Sequence, residues 1–257
     1  MIHLKSSEEI QLMRESAEIL GKAHGEVAKL VAPGVQTATL DKVAEEFIRD
    51  SGATGSFKGY QGFPATLCIS VNEVVVHGFP GKYVLKEGDI ISVDCGVFYK
   101  GFHSDCAYTY PIGNVSPEIS ALLKETKESL YLGIAQAKEG NRIGDIGNAI
   151  QSHVEKFGYT VVRELVGHGV GKNLHESPEV PNYGKRGSGT KLKKGCVIAI
   201  EPMVNLGTRF IFQEADGWTI RTKDRKVSAH FEHTVAVTEN GPEIITTHKY
   251  IEEVLKF

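Results

Sequence analysis

Two stretches of this chain match each other position by position. Leu85-Lys86-Glu87-Gly88-Asp89-Ile90-Ile91-Ser92-Val93-Asp94 reads L-K-x-G-x-I-I-x-V-acid. Leu192-Lys193-Lys194-Gly195-Cys196-Val197-Ile198-Ala199-Ile200-Glu201 reads L-K-x-G-x-V-I-x-I-acid, 107 residues later. Each is a turn that feeds an apolar strand ending in a carboxylate. Pro33-Gly34 and Glu139-Gly140 repeat at nearly the same offset, 106 residues. Two matches at one offset predict two αβ halves related by a pseudo-twofold axis. Such an axis would bring Asp94 and Glu201 together at the seam, where pockets tend to form.

The elements around these stretches follow the same order twice: helix, helix, strands. Ser6 and Glu9 form a capping box. Ile10, Met13, Ala17, Leu20, Val27 and Leu30 then make one apolar helical face, with Pro33-Gly34 as the stop. A second helix is expected over about 39–52, and strands over 66–71, 90–97 and 105–110. The second half opens at Ser116-Pro117-Glu118, a cap followed by proline at the first helical position. That helix is expected to end near Gly140, and another to run over about 144–157. Strands are expected over 161–165, 197–200, 218–221, 231–237 and 243–246. No linker divides the halves, roughly 1–115 and 116–257, so the reading is one catalytic domain, 1–257. The fold class is α/β, in the mixed α+β sense.

Composition narrows the function. The 257 residues are 41% hydrophobic and 24% charged, an ordinary globular balance. A net charge of -3 argues against a nucleic-acid substrate, which usually demands a basic face. No apolar run is long enough to span a membrane, and the N-terminus lacks the apolar core of a signal peptide. Cys68, Cys95, Cys106 and Cys196 are widely spaced and read as reduced thiols, so the expected compartment is the cytoplasm.

The chemistry-bearing residues are four acids and a histidine. Asp94 ends an apolar strand, where an acid is costly unless neutralised. Asp105 follows eleven residues later, and a hairpin centred on Lys100-Gly101 would set the two aspartates nearly opposite. Paired carboxylates repel, and a divalent cation removes the conflict. His168 sits between glycines in Gly167-His168-Gly169, a glycine-rich turn that lets the backbone approach closely. Glu201 precedes Pro202, which halts the strand. Glu232 shares a face with Thr234 on an alternating strand. Each residue alone could be a solvated surface group. Together, oxygen donors with one imidazole suit manganese, iron(II) or cobalt, and four carboxylates balance two ions better than one.

The ordered segments C-I-S-V-N-E-V-V-V-H-G (68–78), D-I-I-S-V-D-C-G (89–96), G-F-H-S-D (101–105), G-H-G-V-G (167–171), A-I-E-P-M (199–203) and F-E-H-T (231–234) carry a resemblance. Across nearly the whole chain the sequence resembles the methionine aminopeptidases, in their short type I form. Those enzymes share a pita-bread fold: two pseudo-twofold-related αβ halves with a curved, mainly antiparallel sheet. The resemblance implies hydrolytic removal of N-terminal methionine from nascent polypeptides, favouring a small second residue. It implies two divalent ions (cobalt, manganese or iron(II), with zinc compatible). Asp105, His168, Glu201 and Glu232 would hold one, and Asp94 the other, with Asp105 and Glu232 bridging.

Glu201 would be the general base, His175 would stabilise the tetrahedral intermediate, and His77 would sit near the scissile nitrogen. The methionine pocket would comprise Phe57, Tyr60, Phe63, Cys68, Leu174 and Trp218, with His77 and His175 at its edge. Phe57, Phe63 and Leu174 depart from the residues common at these places in bacterial type I members, where a smaller residue, tyrosine and phenylalanine are expected. Asn72, Val74 and Ser228 match a monovalent cation (sodium or potassium) site of the family. The expected state is a monomer that acts on methionyl peptides and nascent chains, with the ribosome as a further partner and no membrane contact. Two alternatives stand beside this reading. One is a non-catalytic peptide-binding module on the same fold, and the other a creatinase- or prolidase-like hydrolase.

Overall fold

A computed structural model describes residues 2–255. Among the described residues five α-helices pack against antiparallel sheets. Helix α1, Ser7–Ala28, starts at the expected capping box: Ser6 accepts from the Glu9 amide, and the Glu9 carboxylate accepts from the Ser6 amide. Its apolar stripe, including Met13, Ala17, Leu20 and Val27, is almost fully buried. The helix stops earlier than Pro33-Gly34. Leu30 and Val31 donate to the carbonyls three residues back, which tightens the last turn and ends the α-helical ladder.

Helix α2 spans Thr37–Asp50, α3 Pro117–Ile134, α4 Ile143–Val154 and α5 Lys249–Leu255. The cap of α3 is as expected, with Ser116 accepting from the Ile119 amide. It ends at Ile134 and not near Gly140, because the chain turns at Gln136, whose carbonyl accepts from the Asn141 side chain.

The repeat is visible in the hydrogen bonds. Gly34 donates to the Leu85 carbonyl, and Gly140 donates to the Leu192 carbonyl. Gly88 donates to Ile112, as Gly195 does to Val237. Both turn glycines adopt positive φ, 88° and 86°, where a side chain would be strained. The first half builds an antiparallel sheet from Thr54–Gly55, Leu67–Val71, Ile90–Tyr99 and Phe102–Pro111. The second builds one from Gly241–Ile244, His233–Thr238, Val197–Ile200, Gly167–Gly169 and Glu176–Val180. One apolar cluster runs through both halves, from Leu20 and Tyr110 to Ile150, Ile200 and Val235.

Two strand expectations change at the seam. The strand expected over 231–237 starts only at His233, as His233–Thr238, and a break at Phe231-Glu232 separates it from a further strand, Ser228–His230. At the break the Glu232 amide leaves its own ladder and donates to the Ala107 carbonyl of the first half, 3.0 Å away. Thr234 clasps the Asp105 backbone, accepting from its amide and donating to its carbonyl. The strand expected over 161–165 shrinks to Thr160–Val161. Further short strands that no periodicity announced lie at Val74–Val76, Met203–Asn205 and Ile211–Gln213.

Candidate metal centre

The hairpin at Lys100-Gly101 forms, but its register shifts the two aspartates by two places. Asp94 lies opposite Ala107, and Asp105 opposite Gly96. They are therefore diagonal neighbours on one face and not directly opposed, still within reach of a shared ion. His168 sits on the strand Gly167–Gly169, not in a turn. The flanking glycines serve close packing. A Cβ on Gly167 would strike the Ala199 carbonyl oxygen, and one on Gly169 the Ser177 carbonyl oxygen. His168 is thereby squeezed between two neighbouring strands and aimed at the seam.

The ring's protonation follows from its partner. Nδ1 lies 2.9 Å from the Gly169 carbonyl, which can only accept, so Nδ1 carries the proton. Nε2 is left with its lone pair, 3.5 Å from Glu201 Oε1 and 3.9 Å from Asp105 Oδ2. Glu201 follows the strand end at Ile200, and its carbonyl accepts from Asn182.

Sequence reading missed one residue here. His230 Nε2 lies 3.7 Å from Glu201 Oε2 and 3.9 Å from Glu232 Oε2, and it is fully buried. His230 stands two places before Glu232, but the ladder breaks between them, so no strand alternation announced the pairing.

Burial makes this cluster incompatible with four bare charges. It raises Asp94 to about 7 and Glu201 to about 8. Burial together with the neighbouring carboxylates drives Asp105 and Glu232 well above the usual range. Burial also lowers His168 to about 3. Asp94 Oδ1, Asp105 Oδ1 and Glu232 Oε1 are buried with no hydrogen-bond partner. Among the described residues no lysine or arginine pairs with any of the four acids. Orphaned carboxylate oxygens beside an unprotonated imidazole nitrogen form a donor set for divalent cations.

The donors open into a cavity of about 570 Å³. Asp94, Asp105, His168, Glu201 and Glu232 line its floor, and the expected substrate residues Phe57, Tyr60, Phe63, Cys68, His77, Leu174, His175 and Trp218 line the rest. Phe63 packs edge-on against Trp218 at 5.1 Å and tilts against Phe79 at 5.3 Å. Phe79, which sequence reading did not include, belongs to the same apolar cluster as Phe57, Cys68 and Leu174.

Two histidines are held at the cavity edge by local devices. His77 has φ 58°, a strained conformation for a side-chain-bearing residue. Gly78 after it fits because a Cβ would collide with the Ile69 carbonyl oxygen. His175 Nδ1 lies 2.7 Å from the Tyr60 hydroxyl, and its ring meets that of His168 edge-on at 4.2 Å. Asn72, Val74 and Ser228 lie outside this cavity. The Ser228 amide donates to the Asn72 carbonyl at 3.0 Å, and the Asn72 side chain bonds Asp89 and the Ile90 amide.

The model of metallopeptidase family M24 matches residues 11–239. A methionine aminopeptidase of Clostridium perfringens is 55% identical over 249 residues, covering 97% of this chain and all of that one. Methionine aminopeptidase 1 of Bacillus subtilis is 52% identical, with 96% and 99% covered. The crystal structure of methionine aminopeptidase from Thermotoga maritima superposes with a TM-score of 0.94 at 44% identity, covering 96% of this chain and 100% of that chain. An Xaa-Pro dipeptidase from Bacillus anthracis shares the fold alone, with a TM-score of 0.78 at 23% identity, covering 95% of this chain and 62% of that one. The architecture is the pita-bread fold. The chain belongs to metallopeptidase family M24, among its methionine aminopeptidases.

Proposed function

We propose that Asp94, Asp105, His168, Glu201 and Glu232 hold two divalent ions, with Asp105 and Glu232 shared, and that methionine is removed from polypeptide N-termini at this site. One observation carries the reading: buried, unpartnered metal donors and an apolar, aromatic-rich wall share one cavity. When bound, the ions would neutralise the four carboxylates and make an attacking water acidic enough to act near neutral pH. Cobalt, manganese and iron(II) all suit these donors.

The chain's own residues do the rest. Glu201, largely buried beside Asp105 and His168, takes the proton of the attacking water and delivers it to the departing amine. With Tyr60 O–H donating to its Nδ1, His175 presents an Nε2–H donor to the scissile carbonyl oxygen and stabilises its developing charge. His77 stands at the scissile nitrogen. Phe57, Phe63, Cys68, Leu174 and Trp218 give the unbranched thioether a soft apolar wall. Asn72, Val74 and Ser228 support a monovalent cation behind the pocket. The substrate is the nascent chain in the cytoplasm, met by a monomer, with the ribosome as a fitting neighbour.

Peptide selectivity tests this reading. Met-Ala-Ser is expected to lose methionine, and Met-Leu-Ser to react at least roughly 10–200-fold more slowly, the range that a single methylene commands in an apolar pocket. Hydrolysis of Gly-Pro without release of methionine would support the prolidase-like alternative instead. Folded, metal-loaded protein that cleaves neither would leave the non-catalytic module.

Stability should report the same site. Asp94 and Glu201 titrate higher in the folded chain than unfolded, so the ion-free fold loses stability as pH rises towards about 8. Buried histidines with lowered pKa act only below their ordinary 6.5, so between pH 6.5 and 8 the acids dominate. A divalent ion removes this penalty. Manganese at a fixed concentration, 1,000 times its Kd at pH 8, should raise Tm by about 10 °C at pH 8. The increment should be smaller at pH 6.5, and thermal melts showing equal increments at both pH values would contradict the charge burial.

A further inference from the structure

The strands that supply Asp105 and Glu232 also carry a second donor set on their far side. Successive residues of a strand face opposite ways, so Cys106 and His233 point away from the cavity that their neighbours line. His248, just before α5, completes a group. The Sγ of Cys106 and a ring nitrogen from each of His233 and His248 lie within 4.8 Å of one another, all three residues buried. Cys106 Sγ is 3.9 Å from His233 Nδ1.

The wiring of His248 is that of a metal ligand. Its Nε2 lies 3.1 Å from the Ala107 carbonyl, which can only accept, so Nε2 carries the proton. Nδ1 is then an unprotonated lone pair, and it is buried without a partner. A ligating imidazole commonly donates its other N–H to a backbone carbonyl in this way. His233 and His248 also line a separate cavity of about 590 Å³, which gives an ion a path from the surface.

We infer that Cys106, His233 and His248 form a second metal site, distinct from the dinuclear centre, that takes a thiophilic divalent ion such as zinc or cadmium. Thiolate and imidazole are the donors zinc favours, three protein ligands leave the fourth tetrahedral position open, and sulfur selects against manganese and magnesium. Loading breaks the Cys106 S–H bond, whose hydrogen now points at the Glu232 carbonyl 3.2 Å away, and releases one proton to solvent. His233 Nδ1 exchanges the Thr246 hydroxyl, 2.8 Å away, for the ion. The His233 ring turns out of its 3.9 Å stack on His248 to reach it, while His248 keeps its Nε2 hydrogen bond to Ala107.

The test is a cadmium titration of the full-length protein with its catalytic centre kept saturated with manganese, read by the ultraviolet thiolate-to-cadmium charge-transfer band. One equivalent of band is expected. It should vanish in Cys106→Ser and weaken at least tenfold in apparent affinity in His248→Ala, while Cys68→Ser, Cys95→Ser and Cys196→Ser retain it. Absence of the band in the parent protein, or its persistence in Cys106→Ser, overturns the site. Because the readout is a thiolate band and not peptide hydrolysis, its outcome is independent of the catalytic reading.

Discussion

Glu201→Gln is expected to lower kcat for methionine release from Met-Ala-Ser by at least about 10³-fold at saturating metal, within the range for loss of a positioned general base combined with a weakened ligand. The substitution keeps the side chain's volume and removes only its capacity to take a proton and carry charge. KM should move little, because the thioether pocket of Phe57, Phe63, Cys68, Leu174 and Trp218 is untouched. The same variant should melt at a higher temperature than the parent when ion-free at pH 8. Burial raises the Glu201 carboxyl to about 8, so at that pH the parent buries a charge that the amide does not. Reduced activity with raised ion-free stability separates a functional carboxylate from a structural one. A kcat within tenfold of the parent would remove Glu201 from the proton-transfer role.

Much of this was written in local sequence. The L-K-x-G-x-x-I-x-x-acid repeat forecast two halves, and the paired glycine turns at Gly88 and Gly195 realise it with matching φ and matching hydrogen bonds. Asp94, Asp105, Glu201 and Glu232 were legible because acids within or beside apolar strands are anomalous. What sequence did not disclose depends on contacts between distant segments. The two-residue shift between Asp94 and Asp105 is set by the hairpin closing at Tyr99 and Phe102. The strand at His168 exists because neighbouring strands crowd its glycines, which in sequence look like a turn. The break at Phe231-Glu232 arises because the Glu232 amide finds Ala107 in the other half. His230 was passed over because nothing near it in sequence shows that Glu201 lies beside its ring.

Removal of metal is expected to have the largest effect of all. The cluster of four carboxylates, two buried and two largely so, has no lysine or arginine partner among the described residues, so without cations it must take up protons. Protonated acids neither hold ions nor accept the water's proton. The unaided water is a weak nucleophile, and a bound divalent ion would bring its pKa down towards neutrality. Chelated, metal-free protein should therefore release methionine no faster than the background reaction, while its fold persists at pH 6.5.

A manganese titration of that metal-free protein, followed together by calorimetry and by methionine release from Met-Ala-Ser, tests the dinuclear assignment most directly. Two ions bound per chain, with activity absent before the first addition, are predicted. Full methionine release from protein shown to contain no metal, or no manganese uptake by the folded chain, would contradict it.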